Sequence, residues 1–316
     1  MKPLTIGKFR GLQQCTSARA AFTCLALDHR QNLRRANPGF VENAELSQFK
    51  LDVTACLADL STAVLLDPEV SAAQAIAAGA LPGKSALVVA VESTGYGGAP
   101  TARQSHLLPG WSVEKAKRMG ASMIKLLVYY HPDNEMASEI EAFVRQVAEE
   151  GLRQDIGLML EPLSYSLQDG QPLTSAEKTA VVVETARRLV LPGVDVLKAE
   201  FPLNPAEVAD ETQWEAACKV VSVACPAPWI VLSAAVDYEV YLRQVEVACR
   251  AGASGCAVGR AVWQEAVMMD RPARLEFLRT TGRERLERLA HLCNQAGKPI
   301  TDFYSADAPF DWYENY

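Results

Sequence analysis

The sequence predicts an α/β chain folded as a (β/α)8 TIM barrel. Three observations carry that expectation. Short, continuously apolar runs alternate with amphipathic helical stretches from end to end, the pattern of a parallel sheet covered by helices. Eight such runs occur, at intervals of roughly 25–40 residues, which is the count for a closed barrel. Polar residues stand at the C-terminal ends of most of these runs. The runner-up, a doubly wound open sheet, normally shows a Gly-x-Gly-x-x-Gly turn after its first strand. Here that strand closes in Asp28-His29-Arg30-Gln31, which cannot cradle a pyrophosphate in that way.

Taken in order, Ala21–Leu27 is the first apolar run and Glu45–Leu60 follows with helical periodicity. Ala63–Leu66 is a strand closed by Asp67-Pro68. Ser71–Ala80 is an Ala-rich helix with Ser71 as a candidate N-cap, broken by Pro82-Gly83. Ala86–Val91 ends at Glu92 and leads into a Gly-rich loop, Thr94-Gly95-Tyr96-Gly97-Gly98. Trp111–Met119 reads as helix, Ser122–Tyr130 as a strand containing Lys125, and Met136–Leu152 as an amphipathic helix. Ile156–Leu160 is a strand ending at Glu161, and Ser175–Leu189 a helix. Val194–Leu197 leads to Lys198, Trp229–Leu232 to Ser233, and Ser254–Val258 to Gly259-Arg260. The helix Tyr238–Arg250 separates the last two strands, and helices fill much of the chain up to Ala296. No linker or low-complexity stretch interrupts this series. Residues 1–316 are therefore expected to form a single barrel domain with a short N-terminal extension and an aromatic, acidic C-terminal tail, 302–316, acting as a docked arm or subunit contact.

Of the 316 residues, 49% are apolar, enough for a large core, and the formal charge is −7. That balance argues against nucleic-acid or acidic-membrane partners, so the cations that hold an anionic substrate must be local. No apolar run approaches a membrane span, and Met1–Ile6 has no signal-like apolar segment. The eight cysteines form no Cys-x-x-Cys pair and read as reduced core thiols. A cytoplasmic homo-oligomer is expected.

In a barrel, the strand ends converge on the face where active sites are built. Asp28, Lys125, Glu161, Lys198, Ser233 and Arg260 all lie at or near those ends. Each has a plainer reading alone. Asp28 and Glu161 suit caps, Lys125 an outward position between helices, Lys198 and Arg260 rim ion pairs, and Ser233 a backbone partner. Together they suit Schiff-base aldol cleavage, in which a lysine amine attacks a ketose carbonyl and the resulting iminium draws electrons from the breaking C–C bond. Lys198 is the candidate nucleophile. Lys125, two strands away, is expected to depress its proton affinity by like-charge repulsion. Glu161, on the intervening strand, is placed to shuttle protons. Asp28 is the candidate acceptor of the hydroxyl proton at the bond cleaved. Ser233, the backbone around Gly259, and Arg260 suit a phosphate at the common anion site of this fold. Arg30 joins them as a candidate substrate-binding residue.

The same residues carry a family resemblance that spans about residues 20–290. The motifs are Ala26-Leu27-Asp28-His29-Arg30, Leu65-Leu66-Asp67-Pro68-Glu69, Glu92-Ser93-Thr94-Gly95-Tyr96, Lys125-Leu126-Leu127-Val128-Tyr129-Tyr130, Leu160-Glu161-Pro162, Asp195-Val196-Leu197-Lys198-Ala199-Glu200, Leu232-Ser233-Ala234, Val258-Gly259-Arg260-Ala261-Val262-Trp263 and Leu278-Arg279-Thr280-Thr281-Gly282. In these the chain resembles the class I tagatose-1,6-bisphosphate aldolases. The resemblance implies a (β/α)8 fold and a metal-independent Schiff-base lyase without cofactor, giving dihydroxyacetone phosphate and glyceraldehyde 3-phosphate. By position it implies Lys198 as the imine lysine, Glu161 as the proton shuttle, Lys125 and Asp28 as helpers, and Ser233 and Arg260 as phosphate ligands. The chain is also similar to sulfofructose-phosphate aldolases, notably in Trp229–Ser233 and Ala251–Gly255. It departs from the tagatose branch at His29, where that branch usually has Gln. The alternative substrate is thus 6-deoxy-6-sulfofructose 1-phosphate.

Two other readings compete. A metal-dependent aldolase needs clustered ligands, and the four histidines, His29, His106, His131 and His291, form no close pair. A catalytically silent sugar-phosphate sensor does not need Lys125, Glu161 and Lys198 together.

Overall fold

The computed structural model describes residues 1–316, the side chain of Asn315 excepted. The eight expected strands are Phe22–Ala26 (β1), Ala63–Leu66 (β2), Ala86–Ala90 (β3), Met123–Tyr129 (β4), Gly157–Leu163 (β5), Val196–Ala199 (β6), Trp229–Leu232 (β7) and Gly255–Val258 (β8). They pair in parallel with their sequence neighbours, and β8 pairs with β1 to close the barrel. The chain is a (β/α)8 TIM barrel.

Helical periodicity places the outer ring. In Ala137–Arg153, the buried residues Ile140, Val144, Val147, Ala148 and Gly151 recur at helical spacing and face the sheet, while the intervening charges face water. Helix Ser175–Leu189 starts with a capping box, in which the Thr174 and Glu177 side chains each accept from the other's backbone N–H. Helix Glu211–Ala224 fills the β6–β7 crossover and was not singled out in the sequence, where its apolar spacing is diluted by Glu211, Gln213, Glu215 and Lys219.

Three boundaries differ instructively from the sequence reading. Strand β5 continues through Pro162 to Leu163 rather than ending at Glu161, since Tyr130 N–H still donates to Leu163 O at 3.0 Å. The helix read as Ser71–Ala80 is shorter, Ala72–Ala77. Ser71 is its N-cap residue, but its hydroxyl turns back to Asp67 instead of capping the turn. The Gly-rich loop after β3 contains an antiparallel hairpin, Gly97–Ala99 with Ala102–Gln104. Gly98 has φ +79 in that hairpin, and a Cβ there would meet Ala102 O at 2.5 Å.

The N-terminal mouth of the barrel is plugged by both ends of the chain. Lys2–Pro3 pairs with Tyr304–Ser305, and the N-terminal helix Ile6–Gln14 carries Lys8 inward. Lys8 Nζ is buried 2.8 Å from Asp195 Oδ2 and donates to Gly193 O at 3.1 Å. Tyr304 donates its hydroxyl proton to Asp195 O at 2.9 Å, and the Tyr316 hydroxyl bonds to the Asp155 carboxylate. The Leu278–Gly282 segment is a π-helical turn leading into helix Arg283–Ala296. It packs near Leu57 on the outer layer and lines no part of the central cavity. Among the described residues, no helix is long and apolar enough to cross a membrane.

Closure depends on Gly255, the first residue of β8. Its φ is +128, and a Cβ would collide with the carbonyl oxygen of Phe22 on β1. Gly255→Ala is therefore expected to destabilise the fold by about 2–4 kcal/mol, combining backbone strain with a steric clash at the seam. Chemical denaturation of the two proteins measures this. A loss below about 0.5 kcal/mol would show that the seam can shift freely, contrary to this account.

Candidate active site

Strand alternation builds the site. Successive side chains of a strand point to opposite faces, so residues two apart share the barrel interior. The cavity at the C-terminal mouth is lined by such pairs: Ala26 with Asp28, Lys125 with Leu127 and Tyr129, Glu161 with Leu163, Lys198 with Glu200, and Ala257 with Gly259. Its volume is about 650 Å³. All eight sequence-derived candidates, Asp28, Arg30, Lys125, Glu161, Lys198, Ser233, Gly259 and Arg260, line this one cavity.

Its centre is a buried cluster of charges. Lys125 is wholly inaccessible, and its Nζ lies 2.7 Å from Asp28 Oδ2, 2.7 Å from Glu92 Oε1 and 2.9 Å from Glu161 Oε2. Lys198 Nζ lies 2.8 Å from the same Glu161 oxygen. One carboxylate oxygen thus bridges both ammonium groups. Both contacts are ion pairs that lack good hydrogen-bond angles. Glu92 also accepts from Leu127 N–H at 3.1 Å, fixing its carboxylate against β4.

The charge states follow. Burial opposes the ammonium of Lys125, but Asp28, Glu161 and Glu92 outweigh it and raise its pKa well above the ordinary lysine value. Burial likewise opposes the Asp28 carboxylate, yet Lys125 and Lys198 hold its pKa well below normal. The Glu161 pKa is also lowered, with burial overcome by Lys125 and then Lys198. The two lysines do not face each other directly. Lys125 does not confront Lys198 as a bare cation, because Asp28 and Glu92 balance it and Glu161 stands between the two lysines.

The anion end lies at β7 and β8. Arg260 is half-buried, and burial lowers its pKa. Among the described residues, no carboxylate lies within ion-pair distance of its guanidinium, and its Nε has no partner. An uncompensated guanidinium at a cavity wall is suited to an incoming anion. Ser233 Oγ accepts from Gly259 N–H at 3.2 Å. That N–H, expected to be a free phosphate donor, is thus occupied here, and Ser233 presents its hydroxyl proton instead. The two residues after Ser233, Ala234 and Ala235, have φ of +38 and +59. Left-handed alanines are strained by about 1 kcal/mol or more each, and such strain concentrates at functional loops. Alanine gives no sequence signal for it.

Arg30 lines the cavity, but its fork is already committed. It pairs with Glu69 and donates to Glu92 O at 2.9 Å. It thereby braces Glu92, while the Arg30 Nε has no partner. His29 packs edge-on against Trp263, with ring centroids 5.3 Å apart. Burial, helped by Arg260 and Lys198 and opposed by Asp28, pushes its pKa down to about 4, so the imidazole is neutral near pH 7.

Among the cavity residues that escaped the sequence reading as site members are Glu92, Tyr96, Tyr129 and Arg35. Glu92 had the same signal as Glu161, a carboxylate closing an apolar strand. Arg35 lies on the short helix Gln31–Ala36 at the rim, and nothing in its sequence context marks it. Among the described residues, no group of three or more His, Cys, Asp or Glu is arranged to hold a metal ion.

The barrel and the lysine-centred cavity define an enzyme of the lyase class that acts on carbonyl compounds, and known proteins similar in sequence agree. The family model for DeoC/LacD family aldolase matches residues 22–265, and the chain belongs to that family. It is 33% identical over 315 residues to tagatose 1,6-diphosphate aldolase 2 of Enterococcus faecalis, covering 92% of this chain and 94% of that protein. It is 29% identical over 325 residues to tagatose 1,6-diphosphate aldolase of Lactococcus lactis subsp. lactis, covering 95% and 99%. Among solved structures, the fold is similar to an archaeal fructose 1,6-bisphosphate aldolase (TM-score 0.58, 22% identity, 90% of this chain and 98% of that one). It is also similar to fructose-bisphosphate aldolase from Plasmodium falciparum (TM-score 0.70, 14% identity, 94% and 98%).

Two outcomes are expected. Lys125→Met strands buried carboxylates and should cost about 3–5 kcal/mol in denaturant unfolding at pH 7. A cost under about 1 kcal/mol would mean that the cluster relaxes without it. His29 protonates at about 4 when folded and near 6.5 when unfolded, so the unfolded chain binds more protons between those values. Its share of stability is complete above about pH 6.5 and is lost as pH falls towards 4, up to about 3 kcal/mol. Wild type should therefore lose more stability than His29→Gln over that range. Parallel pH–stability curves would refute a neutral His29.

Proposed function

We propose that this aldolase is of the class I type. It would cleave a ketohexose bisphosphate, tagatose 1,6-bisphosphate in first place, to dihydroxyacetone phosphate and glyceraldehyde 3-phosphate. The observation that carries the mechanism is Lys198 Nζ at 2.8 Å from Glu161 Oε2, inside a cavity whose Arg260 has no carboxylate partner. The substrate class draws on the named relatives at about 30% identity. Two cavity arginines without carboxylate partners, Arg260 and Arg35, suit a substrate with two anionic groups.

In the proposed reaction, Ser233 and Arg260 hold the phosphate on C1, which brings C2 to Lys198. Lys198 gives a proton to Glu161, and its free amine adds to the C2 carbonyl. Glu161 returns that proton to the former carbonyl oxygen and then relays a second one to it from the added nitrogen, so that the oxygen leaves as water and the iminium forms. Asp28 takes the C4 hydroxyl proton. The C3–C4 electron pair flows to the iminium nitrogen, releasing the aldehyde and leaving an enamine. Protonation at C3 and hydrolysis of the imine free dihydroxyacetone phosphate and restore the lysine. Lys125 keeps Asp28 and Glu161 ionised and in place throughout.

The eight buried free thiols fit a reducing, cytoplasmic setting, and a single barrel domain in a homo-oligomer is the expected form. Sedimentation of the purified protein tests the latter.

The decisive experiment is borohydride reduction in the presence of dihydroxyacetone phosphate. A covalent adduct on the Lys198 peptide, formed equally with EDTA present, is the expected result. Lys198→Ala should abolish both adduct and turnover. Glu161→Gln should slow imine formation about 100-fold or more while leaving phosphate affinity within a few-fold. Normal turnover in Lys198→Ala, or activity abolished by EDTA, would overturn the reading. Comparison of tagatose bisphosphate, fructose bisphosphate and sulfofructose phosphate as substrates fixes the second anionic group.

A further inference from the structure

Arg103 lies outside the cavity lining, yet it holds three of the loops that surround it. Its guanidinium sits 4.4 Å from the ring centroid of Tyr96, 5.2 Å from that of Tyr129 and 4.9 Å from that of Tyr165. Tyr96 and Tyr129 also meet edge to face, with centroids 4.9 Å apart. Tyr96 follows β3, Tyr129 ends β4 and Tyr165 follows β5, so one cation pins the exits of the strands that carry or precede Glu92, Lys125 and Glu161. The Arg103 Nε donates to Pro100 O at 2.8 Å, which fixes the turn of the hairpin to which Arg103 belongs. Ser105 Oγ accepts from Tyr129 N–H at 3.1 Å, and Asn134 donates to Thr101 O at 2.7 Å, so the hairpin is fastened on both flanks. Among the described residues, no carboxylate pairs with Arg103 within 4 Å. The aromatic faces are its electrostatic partners, and contacts of this kind are worth about 0.5–2 kcal/mol each.

The ring order gives this cage a direction. Around the barrel the strands run β7-β8-β1-β2-β3-β4-β5-β6, so β4 stands opposite β8. Ser233 and Arg260 are at the exits of β7 and β8, and the tyrosine wall is at β3–β5. A ketose anchored by its C1 phosphate at one side and joined to Lys198 on β6 must extend its remaining carbons towards that wall. Tyr96 and Tyr129 line the cavity there, whereas Arg103 and Tyr165 stand behind them.

We propose that Arg103 is a positioning residue for the aldehyde half of the substrate: stacked among Tyr96, Tyr129 and Tyr165, it sets the cavity wall that faces the Ser233–Arg260 end. This inference rests on the imine reading above. It separates the two halves of the substrate. Dihydroxyacetone phosphate alone never reaches the wall, whereas an uncleaved bisphosphate does.

The test is Arg103→Met, with Arg103→Lys as the conservative variant. Arg103→Met should raise KM for tagatose 1,6-bisphosphate about tenfold while kcat changes less than about threefold. Half-saturation of borohydride trapping by dihydroxyacetone phosphate should stay at the wild-type value, and Arg103→Lys should recover part of the KM. If Arg103→Met does not fold, Tyr165→Leu serves instead, since Tyr165 stacks on Arg103 and does not line the cavity, with Tyr165→Phe keeping the ring as control. The same KM shift is expected for Tyr165→Leu and none for Tyr165→Phe. An unchanged KM, or equal losses in trapping and cleavage, would overturn the role assigned to Arg103. Failure of wild type itself to trap dihydroxyacetone phosphate would instead overturn the imine reading.

Discussion

Everything at the mouth of this barrel depends on one buried ammonium. Lys125 draws together Asp28 after β1, Glu92 after β3 and Glu161 on β5, all within 2.9 Å. Ions removed from water incur a desolvation cost of several kcal/mol each, which only close and multiple partners offset. The lysine and its carboxylates are therefore mutually obligatory, and the strand ends that carry them are held in one arrangement. Arg30 extends the network outward through Glu92 and Glu69, and the fully buried pair of Lys50 and Asp67 shores up the neighbouring strand end.

The network also explains how polar side chains coexist with a dry interior. Below the charged layer all eight strands contribute buried apolar side chains to the core. At the opposite mouth, Lys8 and Asp195 form a second buried pair, sealed by the two ends of the chain. A charged pair thus marks each end of an apolar column. The upper one opens onto the cavity and the lower one is covered.

Much of this was legible in the sequence, for a physical reason. A parallel barrel strand is apolar except where its end meets the cavity, so a polar residue closing an apolar run marks the site directly. Asp28, Lys125, Glu161, Lys198, Ser233 and Arg260 were found by that rule, and Glu92 obeyed it without being counted. What the rule cannot give is pairing across the ring. Nothing local to Arg30 announces Glu69 and Glu92 as its partners. Gly259 looked like a free donor because the Ser233 hydroxyl that occupies it lies 26 positions away. The Arg103 cage assembles rings from three separate loops, and the left-handed Ala234 and Ala235 have a residue type that hides their conformation.

The single Glu161 oxygen that touches both lysines has a further consequence. In the proposed reaction an ammonium at Lys198 is replaced by an iminium of the same charge at almost the same point. The field felt by Glu161, Lys125 and Asp28 is then nearly identical before and after the covalent bond forms. The carboxylates and Lys125 that were set for the free enzyme therefore suit the covalent state without a new arrangement of charges.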